Sequence, residues 1–531
     1  MPPAPLSARD VTRRPAPLAA LACALALSFL ASAPAQPAPL AYAPPAFTDS
    51  ARRARVDAVL PELDQLFSAL LPERHLPGLV YGVVLDGELI HARALGLADV
   101  ARQIPVARDT RFRIASMTKS FVALAILRLR DEGKLRLDDP VAQHLREFRA
   151  VRPPTADSPP ITIRHLLTMT PGLPEDNPWG DRQMDITNAA LEKFVGAGLA
   201  FSNPPGQAYE YSNLGFVLLG KIVSRLSGVR FQDYITQKIL RPLGMAATVW
   251  EFAAVPADRL ALGYRWEHDA WRLETILHDG DGAAMGGLLT TADDFARYVA
   301  FHLGAWPARD EAESGPVRRA SVREAQMPRI FSAFAATAKL VDDSTPNPRF
   351  SFYGYGLSWT RDKLGVVTLG HGGGLPGFGS NYRFAPEHGV GVFAFSNLRY
   401  GPVYTPTARA LMLLIEHAKL PARTAATSAI LALRARQVAD LVQSWDPKLV
   451  AEIAAENFLL DRDLADWAAL AREKLAALGP IKSIGEIVPE NQLRGTFQII
   501  GEQATLDVHF TLTPEAVPKV QELEFTVATK P

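Results

Sequence analysis

The spacing of apolar residues predicts that the folded part of the chain begins with a helix and a hairpin. From Arg52 to Leu71, apolar residues recur every three or four positions, as on one face of an α-helix. Two apolar runs follow, 79–85 and 89–94, separated by Asp86-Gly87. Because Asp-Gly between such runs is typical of a two-residue hairpin turn, we expect two antiparallel strands here. This order favours helices packed on an antiparallel sheet.

The same patterns predict further helices and a group of strands before residue 420. Helices are expected at 116–132, 213–226, 231–240 and 405–419. Strands are expected at 366–369, 382–385 and 389–396, with a glycine-rich turn over 371–379.

Leu420-Pro421 is the predicted boundary between a large domain at 49–420 and a small one at 422–531. In the small domain, helical patterns come first and strand patterns follow. The helices are expected at 430–445, 449–458 and 464–478, and the strands at 492–500, 504–511 and 520–527. This order indicates a separate α+β domain. It loosely resembles the cone-shaped fold of nuclear transport factor 2-like domains.

The N-terminus has the features of a secretory signal peptide. Arginines precede an apolar run from Leu18 to Leu30, and small residues follow it. The run is shorter than the ~20 residues that span a bilayer, which favours a cleaved signal over a membrane anchor. We therefore predict a signal peptide at 1–33 and a proline-rich linker at 34–48. The expected product is exported, periplasmic or secreted, with no membrane span after signal removal.

Composition narrows the functional classes. The chain has 56 Lys and Arg and 56 Asp and Glu, so its formal net charge is zero and no basic field favours a nucleic-acid partner. Hydrophobic residues make up 48%, which excludes a disordered chain. The one cysteine, Cys23, lies in the predicted signal, which excludes disulfides and thiol catalysis in the mature chain. No zinc-binding motif is present, and we expect neither a metal nor a cofactor.

Ser116-Met117-Thr118-Lys119 opens a predicted helix and is the strongest candidate for chemistry. Positions three apart share one helix face, so the lysine amine can lie beside the serine hydroxyl. A serine is a weak nucleophile without an adjacent base. Lysine can serve if burial lowers its pKa from ~10.4 toward neutrality. The N–H groups and the dipole at the helix start would stabilise an oxyanion at Ser116. The alternative is a capped helix with an exposed lysine.

Tyr211-Ser212-Asn213 is a second candidate motif and also precedes a predicted helix. A tyrosine phenolate that a cation stabilises can act as a general base. Asparagine supplies both a donor and an acceptor. The alternative is that Asn213 merely caps the helix.

The third motif is Leu369-Gly370-His371-Gly372-Gly373-Gly374. Glycines beside a strand let a ligand approach the backbone closely. His371 can donate to a substrate carboxylate or to a developing charge, depending on its protonation. A phosphate loop is excluded because a strand pattern follows the glycines where a helix would be required. The alternative is an ordinary glycine-rich turn.

In this order, the three motifs resemble those of the serine β-lactamase and penicillin-binding protein superfamily. Residues 50–420 look most similar to its class C β-lactamase-like branch, which includes family VIII carboxylesterases, D-aminopeptidases and D,D-carboxypeptidases. The segments 112–115, 161–167, 242–245 and 286–292 strengthen the resemblance. It implies an α+β, β-lactamase-like fold, in which a helical domain lies beside an antiparallel sheet flanked by helices. The small α+β domain would follow it.

The resemblance also implies roles for the residues of the first two motifs. Ser116 would be the acylated nucleophile, and Lys119 and Tyr211 would share the proton transfers. Asn213 would position the lysine and the substrate.

For the third motif, the resemblance implies that His371 and Gly373 position the substrate. The backbone N–H groups of Ser116 and Gly374 would form the oxyanion hole. β-Lactamases usually carry Lys-Thr-Gly where this chain has His-Gly-Gly. Because a histidine is mostly neutral at pH 7, the substitution favours an esterase or D-peptidase over an efficient β-lactamase.

The expected function is therefore that of an exported serine hydrolase. It would act on an ester, amide or β-lactam bond of a small-molecule or peptide substrate. The alternative is a penicillin-binding-type receptor that is acylated without turnover.

Overall fold

The computed structural model describes residues 42–339 and 346–529. The predicted signal peptide and most of the predicted linker lie outside the described residues. The chain divides into two compact units, 43–426 and a second unit that begins at Thr427. The boundary at Leu420-Pro421 stays a prediction. Among the described residues, no helix is both long and apolar enough to cross a membrane.

The secondary structure of the first unit alternates between helices and strands. Its α-helices are α1 (Arg52–Glu73), α2 (Thr118–Asp131), α3 (Val141–His144), α4 (Ile163–Leu167), α5 (Asn188–Gly196), α6 (Asn213–Ser227), α7 (Phe231–Ile235), α8 (Ala292–Leu303), α9 (Arg319–Ala325) and α10 (Tyr404–Glu416). Its strands are β1 (Gly78–Leu85), β2 (Glu88–Asp99), β3 (Ile104–Pro105), β4 (Phe112–Arg113), β5 (Tyr264–Glu267), β6 (Ala270–Leu273), β7 (Leu289–Thr290), β8 (Ile330–Ala335), β9 (Arg349–Tyr353), β10 (Ser358–Asp362), β11 (Val367–Leu375), β12 (Phe378–Ala385) and β13 (Val390–Ser396).

A large antiparallel sheet organises the first unit. Its strands pair in the order β3-β2-β1-β13-β12-β11-β10-β9-β8. The predicted hairpin joins β1 to β2, and both Asp86 (φ 50°) and Gly87 (φ 91°) have the left-handed backbone that such a turn requires. The first and last strands of the unit, β1 and β13, are neighbours in the interior of the sheet, so the sheet joins the beginning of the unit to its end.

Helices cover both faces of this sheet. On one face, α1 and α10 share a core with β1 and β13, in which Phe67 stacks on Tyr81 with ring centroids 4.1 Å apart. On the other face, Phe295 of α8 packs edge-on against Phe393 and Phe395 of β13. Helix α2 is buried along most of its length in the same core as α6. This arrangement agrees with the predicted α+β class, in which helices flank an antiparallel sheet.

Three of the elements predicted in the first unit have a different form in the structure. The predicted glycine-rich turn at 371–379 is mostly strand, because β11 continues through Leu375 and pairs with β12. The helix predicted at 116–132 begins with a 3₁₀ turn over Ala115–Met117. The helix predicted at 231–240 consists of α7 and a π-helical turn over Thr236–Leu240.

The second unit places helices before strands, as the sequence indicates. The helices are α11 (Ala429–Ser444), α12 (Pro447–Ile453), α13 (Phe458–Asp461) and α14 (Leu464–Ala476), and the strands are β14 (Ile481–Ile484), β15 (Val488–Asn491), β16 (Arg494–Gly501), β17 (Ala504–Leu512) and β18 (Val520–Thr529). The helix predicted at 449–458 is split into α12 and α13. Strands β14 and β15 were not predicted, since their exposed residues lack an apolar alternation.

Candidate active site

Ser116 lies in the 3₁₀ turn immediately before α2. The preceding residue, Ala115, is fully buried and has a left-handed backbone with φ 49°. Such a conformation costs a non-glycine residue roughly 1–2 kcal/mol and persists only where the surroundings fix it. Here the N–H of Met117 donates to the carbonyl of Ile114 at 3.3 Å. The turn thereby directs the Ser116 side chain into an open cleft.

Lys119, one turn after Ser116, is fully buried. Its Nζ lies 3.0 Å from Ser116 Oγ, 2.7 Å from Asn213 Oδ1 and 2.8 Å from the carbonyl oxygen of Met285. Burial lowers the pKa of Lys119 to about 7, although two nearby carboxylates oppose the change. A neutral amine has two hydrogens, which it donates to the asparagine and to the carbonyl. Its lone pair then remains for the proton of the Ser116 hydroxyl.

The start of α6 holds the Asn213 amide in a fixed orientation. The two oxygens of Asp176 accept hydrogen bonds from the backbone N–H groups of Asn213 and Leu214 at 2.7 and 2.8 Å. The N-cap is Ser212, so the Asn213 side chain does not cap the helix. Its Nδ2 instead donates to Asn177 Oδ1 at 2.7 Å, which directs the amide oxygen at Lys119.

Tyr211 lies beside both Ser116 and Lys119. Its phenol group and the Ser116 hydroxyl are joined by a hydrogen bond. The Lys119 Nζ lies 4.9 Å from the centre of its ring. Burial, together with the carboxylates of Asp181 and Asp176, raises the pKa of Tyr211 well above its ordinary value. The tyrosine is therefore a neutral phenol in the free protein.

His371 is buried in β11 with both ring nitrogens engaged. Because the carbonyl of Gly372 can only accept, Nδ1 carries the hydrogen and donates to it at 2.6 Å. Nε2 then accepts from the hydroxyl of Tyr353 at 3.0 Å. Burial lowers the pKa of His371 to about 3, with further lowering by Lys119 and Arg383. The imidazole is neutral at pH 7, and neither nitrogen is available to donate to a substrate.

The glycines after His371 let β11 approach the nucleophile. A Cβ atom on Gly373 would overlap the carbonyl oxygen of Ile114 and the hydroxyl of Ser380. That hydroxyl donates to the same carbonyl at 2.7 Å. Gly373 thus faces the Ser116 turn, while Gly374 lines the cleft. The structure places Gly373 where it determines the spacing between the strand and the serine.

These groups meet in a cleft of about 520 Å³. The predicted residues Ser116, Tyr211, His371 and Gly374 line it, together with Glu175, Asp181 and Tyr400 among others. The described residues that line the cleft include no lysine or arginine. The walls are therefore acidic, and the Lys119 amine is buried behind the serine.

Several residues that shape the site have no local signal in the sequence. Asp176 and Asp181 lie in a loop far from Lys119 along the chain, and the Met285 contact uses a backbone carbonyl. Tyr353, the partner of His371, lies on a different strand. Each of these contacts exists only after distant elements have packed together.

Comparison with known proteins relates this arrangement to one family. A sequence model described as Beta-lactamase matches residues 63–417. Esterase EstB of Burkholderia gladioli is 31% identical over 376 residues, which cover 66% of this chain and 93% of EstB. Protein flp of Staphylococcus aureus is 26% identical over 347 residues, which cover 64% of this chain and 63% of flp. The alignment thus spans less than two thirds of flp.

Solved structures show the same fold. The octameric penicillin-binding protein homologue from Pyrococcus abyssi matches with a TM-score of 0.54 and 22% identity, covering 89% of this chain and 96% of that one. A class C β-lactamase mutant matches with a TM-score of 0.53 and 21% identity, covering 68% and 97%. Together with the family model and the similarity to EstB, this confirms the resemblance to the serine β-lactamase and penicillin-binding protein superfamily.

Replacing Gly373 with alanine should separate β11 from the serine turn, because the added Cβ has no room. We expect a loss of about 1–3 kcal/mol in the free energy of unfolding, measured by urea denaturation. Gly196→Ala is the matched control, since its Cβ would have no atom within 4 Å. Equal stability of the two variants would contradict the proposed close approach.

Removing the Asp176 carboxylate should weaken the start of α6, because two backbone N–H groups lose their acceptor. Asp176→Ala should lower the free energy of unfolding by about 1–2 kcal/mol, measured by thermal and urea denaturation. Asp176→Asn retains one acceptor oxygen and should lose less. An alanine variant as stable as the parent would show that the carboxylate does not cap the helix.

Proposed function

Because this chain belongs to the β-lactamase family, we propose that it hydrolyses uncharged ester or amide substrates through an acyl-enzyme on Ser116. The observation that carries the proposal is the hydrogen bonding of the buried Lys119 amine. Its Nζ lies within 3.0 Å of Ser116 Oγ and of two acceptors, so that in the neutral amine the two acceptors take both hydrogens and the lone pair is left for the serine proton. The signal-like N-terminus supports the further proposal that the protein is exported.

In the proposed acylation, the Ser116 proton moves to Lys119 as Oγ attacks the substrate carbonyl carbon. The negative charge that develops on the carbonyl oxygen is stabilised by the backbone N–H groups of Ser116 and Gly374. Tyr211, which is protonated, donates its proton to the leaving oxygen or nitrogen. It recovers a proton from Lys119, so both groups end this step in their starting forms.

Hydrolysis of the acyl-enzyme repeats these transfers with water as the nucleophile. Water loses a proton to the Lys119–Tyr211 pair and attacks the ester carbon. The Ser116 oxygen leaves and takes the proton back. Asn213 keeps the amine in place in both steps, because its amide oxygen lies 2.7 Å from Nζ.

The charge of the cleft supports uncharged substrates. A substrate carboxylate would face Glu175 and Asp181, and the neutral His371 offers it no cation. Burying an unpaired anion in such a cleft is costly. The similarity to Esterase EstB, at 31% identity, supports an ester substrate for this chain as well. Efficient hydrolysis of an anionic β-lactam or of a D-alanyl peptide with a free carboxylate is not expected.

Ser116→Ala should abolish hydrolysis of p-nitrophenyl acetate, because the acyl-enzyme cannot form. We expect kcat/KM to fall at least about 1000-fold, measured by release of p-nitrophenol. The matched control is Ser68→Ala, which removes an exposed serine on α1 and should retain activity. Activity of the Ser116 variant near that of the parent would overturn the proposal. A single stoichiometric burst from the parent would favour a receptor that is acylated without turnover.

The activity should rise with pH through about 7, because only neutral Lys119 can accept the serine proton. Below that pH, kcat/KM should fall about tenfold per pH unit as the amine is protonated. The pKa of His371 lies near 3 and that of Tyr211 well above 10, so neither titrates in this range. The measurement is the pH profile of kcat/KM from pH 5 to 8. A flat profile would exclude Lys119 as the proton acceptor.

A further inference from the structure

Tyr400 connects the two walls of the cleft. Its hydroxyl donates to Asp181 Oδ2 at 2.9 Å, and Asp181 belongs to a 3₁₀ turn in the helical part of the unit. Its ring lies against the opposite wall, since a Cβ on Gly374 would lie 2.8 Å from the Tyr400 Cδ1 atom. The tyrosine thus extends from the strand that carries the proposed oxyanion donor to the facing wall.

The backbone of Tyr400 is held in an unfavourable conformation. Its φ is 47°, in the left-handed region that few non-glycine residues adopt. Its N–H donates to the carbonyl of Leu375 at 3.2 Å. The loop is anchored further by Asn397, whose Nδ2 donates to the carbonyls of Leu97 and Leu262. Strained residues that the surroundings fix in this way cluster at functional sites.

The two ends of this connection differ in exposure. Asp181 is 3% exposed, whereas Tyr400 is 45% exposed. The carboxylate is therefore a fixed anchor, and the ring presents one side to the open cleft. Because little protein packs on that side, the hydrogen bond to Asp181 keeps the ring across the cleft.

We propose that Tyr400 and Asp181 form a specificity-determining strut that closes the Gly374 end of the cleft and limits the length of the acyl group. This inference rests on the proposed hydrolase function. We use "the strut" below for this pair of side chains and their hydrogen bond.

The position of the strut along β11 points to the acyl group. In the proposed mechanism, the leaving group faces Tyr211, whose ring lies 6.2 Å from that of His371. Gly374 follows His371 by three residues, or about 10 Å along an extended strand. The substrate substituent that points away from Tyr211 therefore extends toward Gly374 and Tyr400. In an ester, that substituent is the acyl chain.

The test compares p-nitrophenyl acetate with p-nitrophenyl hexanoate in each variant. Because both esters use the same catalytic groups, the ratio of their kcat/KM values reports acyl length and cancels changes in chemistry. Tyr400→Ala should raise the hexanoate-to-acetate ratio about tenfold, since the ring no longer closes the cleft. Tyr400→Phe and Asp181→Ala should each raise it about threefold, because the ring remains but is no longer tethered.

The double variant with Tyr400→Phe and Asp181→Ala should equal either single one, since both remove the same hydrogen bond. Asp181→Asn retains an acceptor oxygen and should keep the parental ratio. The control is Tyr264→Phe, which removes a hydroxyl that accepts from the N–H of Val100 outside the cleft. It should also keep the parental ratio.

If the Tyr400 variants and Asp181→Ala keep the parental hexanoate-to-acetate ratio, the proposed role of the strut is wrong. An equal loss of activity on both esters would also contradict it. If Tyr400→Ala fails to fold, the phenylalanine and Asp181 variants give the same test. Failure of the proposed function would give a different result. If Ser116 is not the nucleophile, the Ser116→Ala variant would hydrolyse the esters as the parent does.

Discussion

The buried amine of Lys119 is the group on which the rest of the site depends. Lowering the pKa of a lysine from ~10.4 to about 7 corresponds to roughly 4–5 kcal/mol against the charged form. The surroundings sustain this state by excluding water and by supplying acceptors from two separate parts of the chain, Asn213 and Met285. Any change that admitted water here would restore the ammonium ion and leave the serine without a base.

This requirement explains why several distant elements of the first unit pack around a small site. Helix α2 is buried along most of its length, although it carries a lysine. The Asp176 carboxylate fixes the start of α6, so that the Asn213 amide has one orientation. Gly373 lets strand β11 contact the turn that carries Ser116. The site thus combines helices and a strand that are distant in sequence.

Local regularities were accessible from the sequence, whereas contacts between distant elements were not. Ser116 and Lys119 are three residues apart, so a single helical turn places their side chains on one side. This proximity can be predicted from the local sequence. The Asp86-Gly87 turn is likewise local, because both residues need only their own backbone conformation. The glycine-rich segment after His371 was expected to turn, since glycine is a weak strand former. Pairing with β12 stabilises it as strand instead.

The protonation states of the site residues also depend on contacts between distant elements. Burial lowers the pKa of His371, and burial together with the carboxylates of Asp181 and Asp176 raises the pKa of Tyr211. No spacing rule connects these residues along the chain. Their effect can be seen only when the helices and the sheet have closed on each other.

The acidic walls of the cleft also have a consequence for the end of the reaction cycle. Hydrolysis of a neutral ester yields a carboxylic acid that loses its proton at neutral pH. The resulting anion would form in a cleft whose lining includes Glu175 and Asp181, which repel it. A cleft that tolerates the uncharged reactant therefore expels the charged product. Accumulated acid should be a poor inhibitor, and the emptied cleft is free for the next molecule.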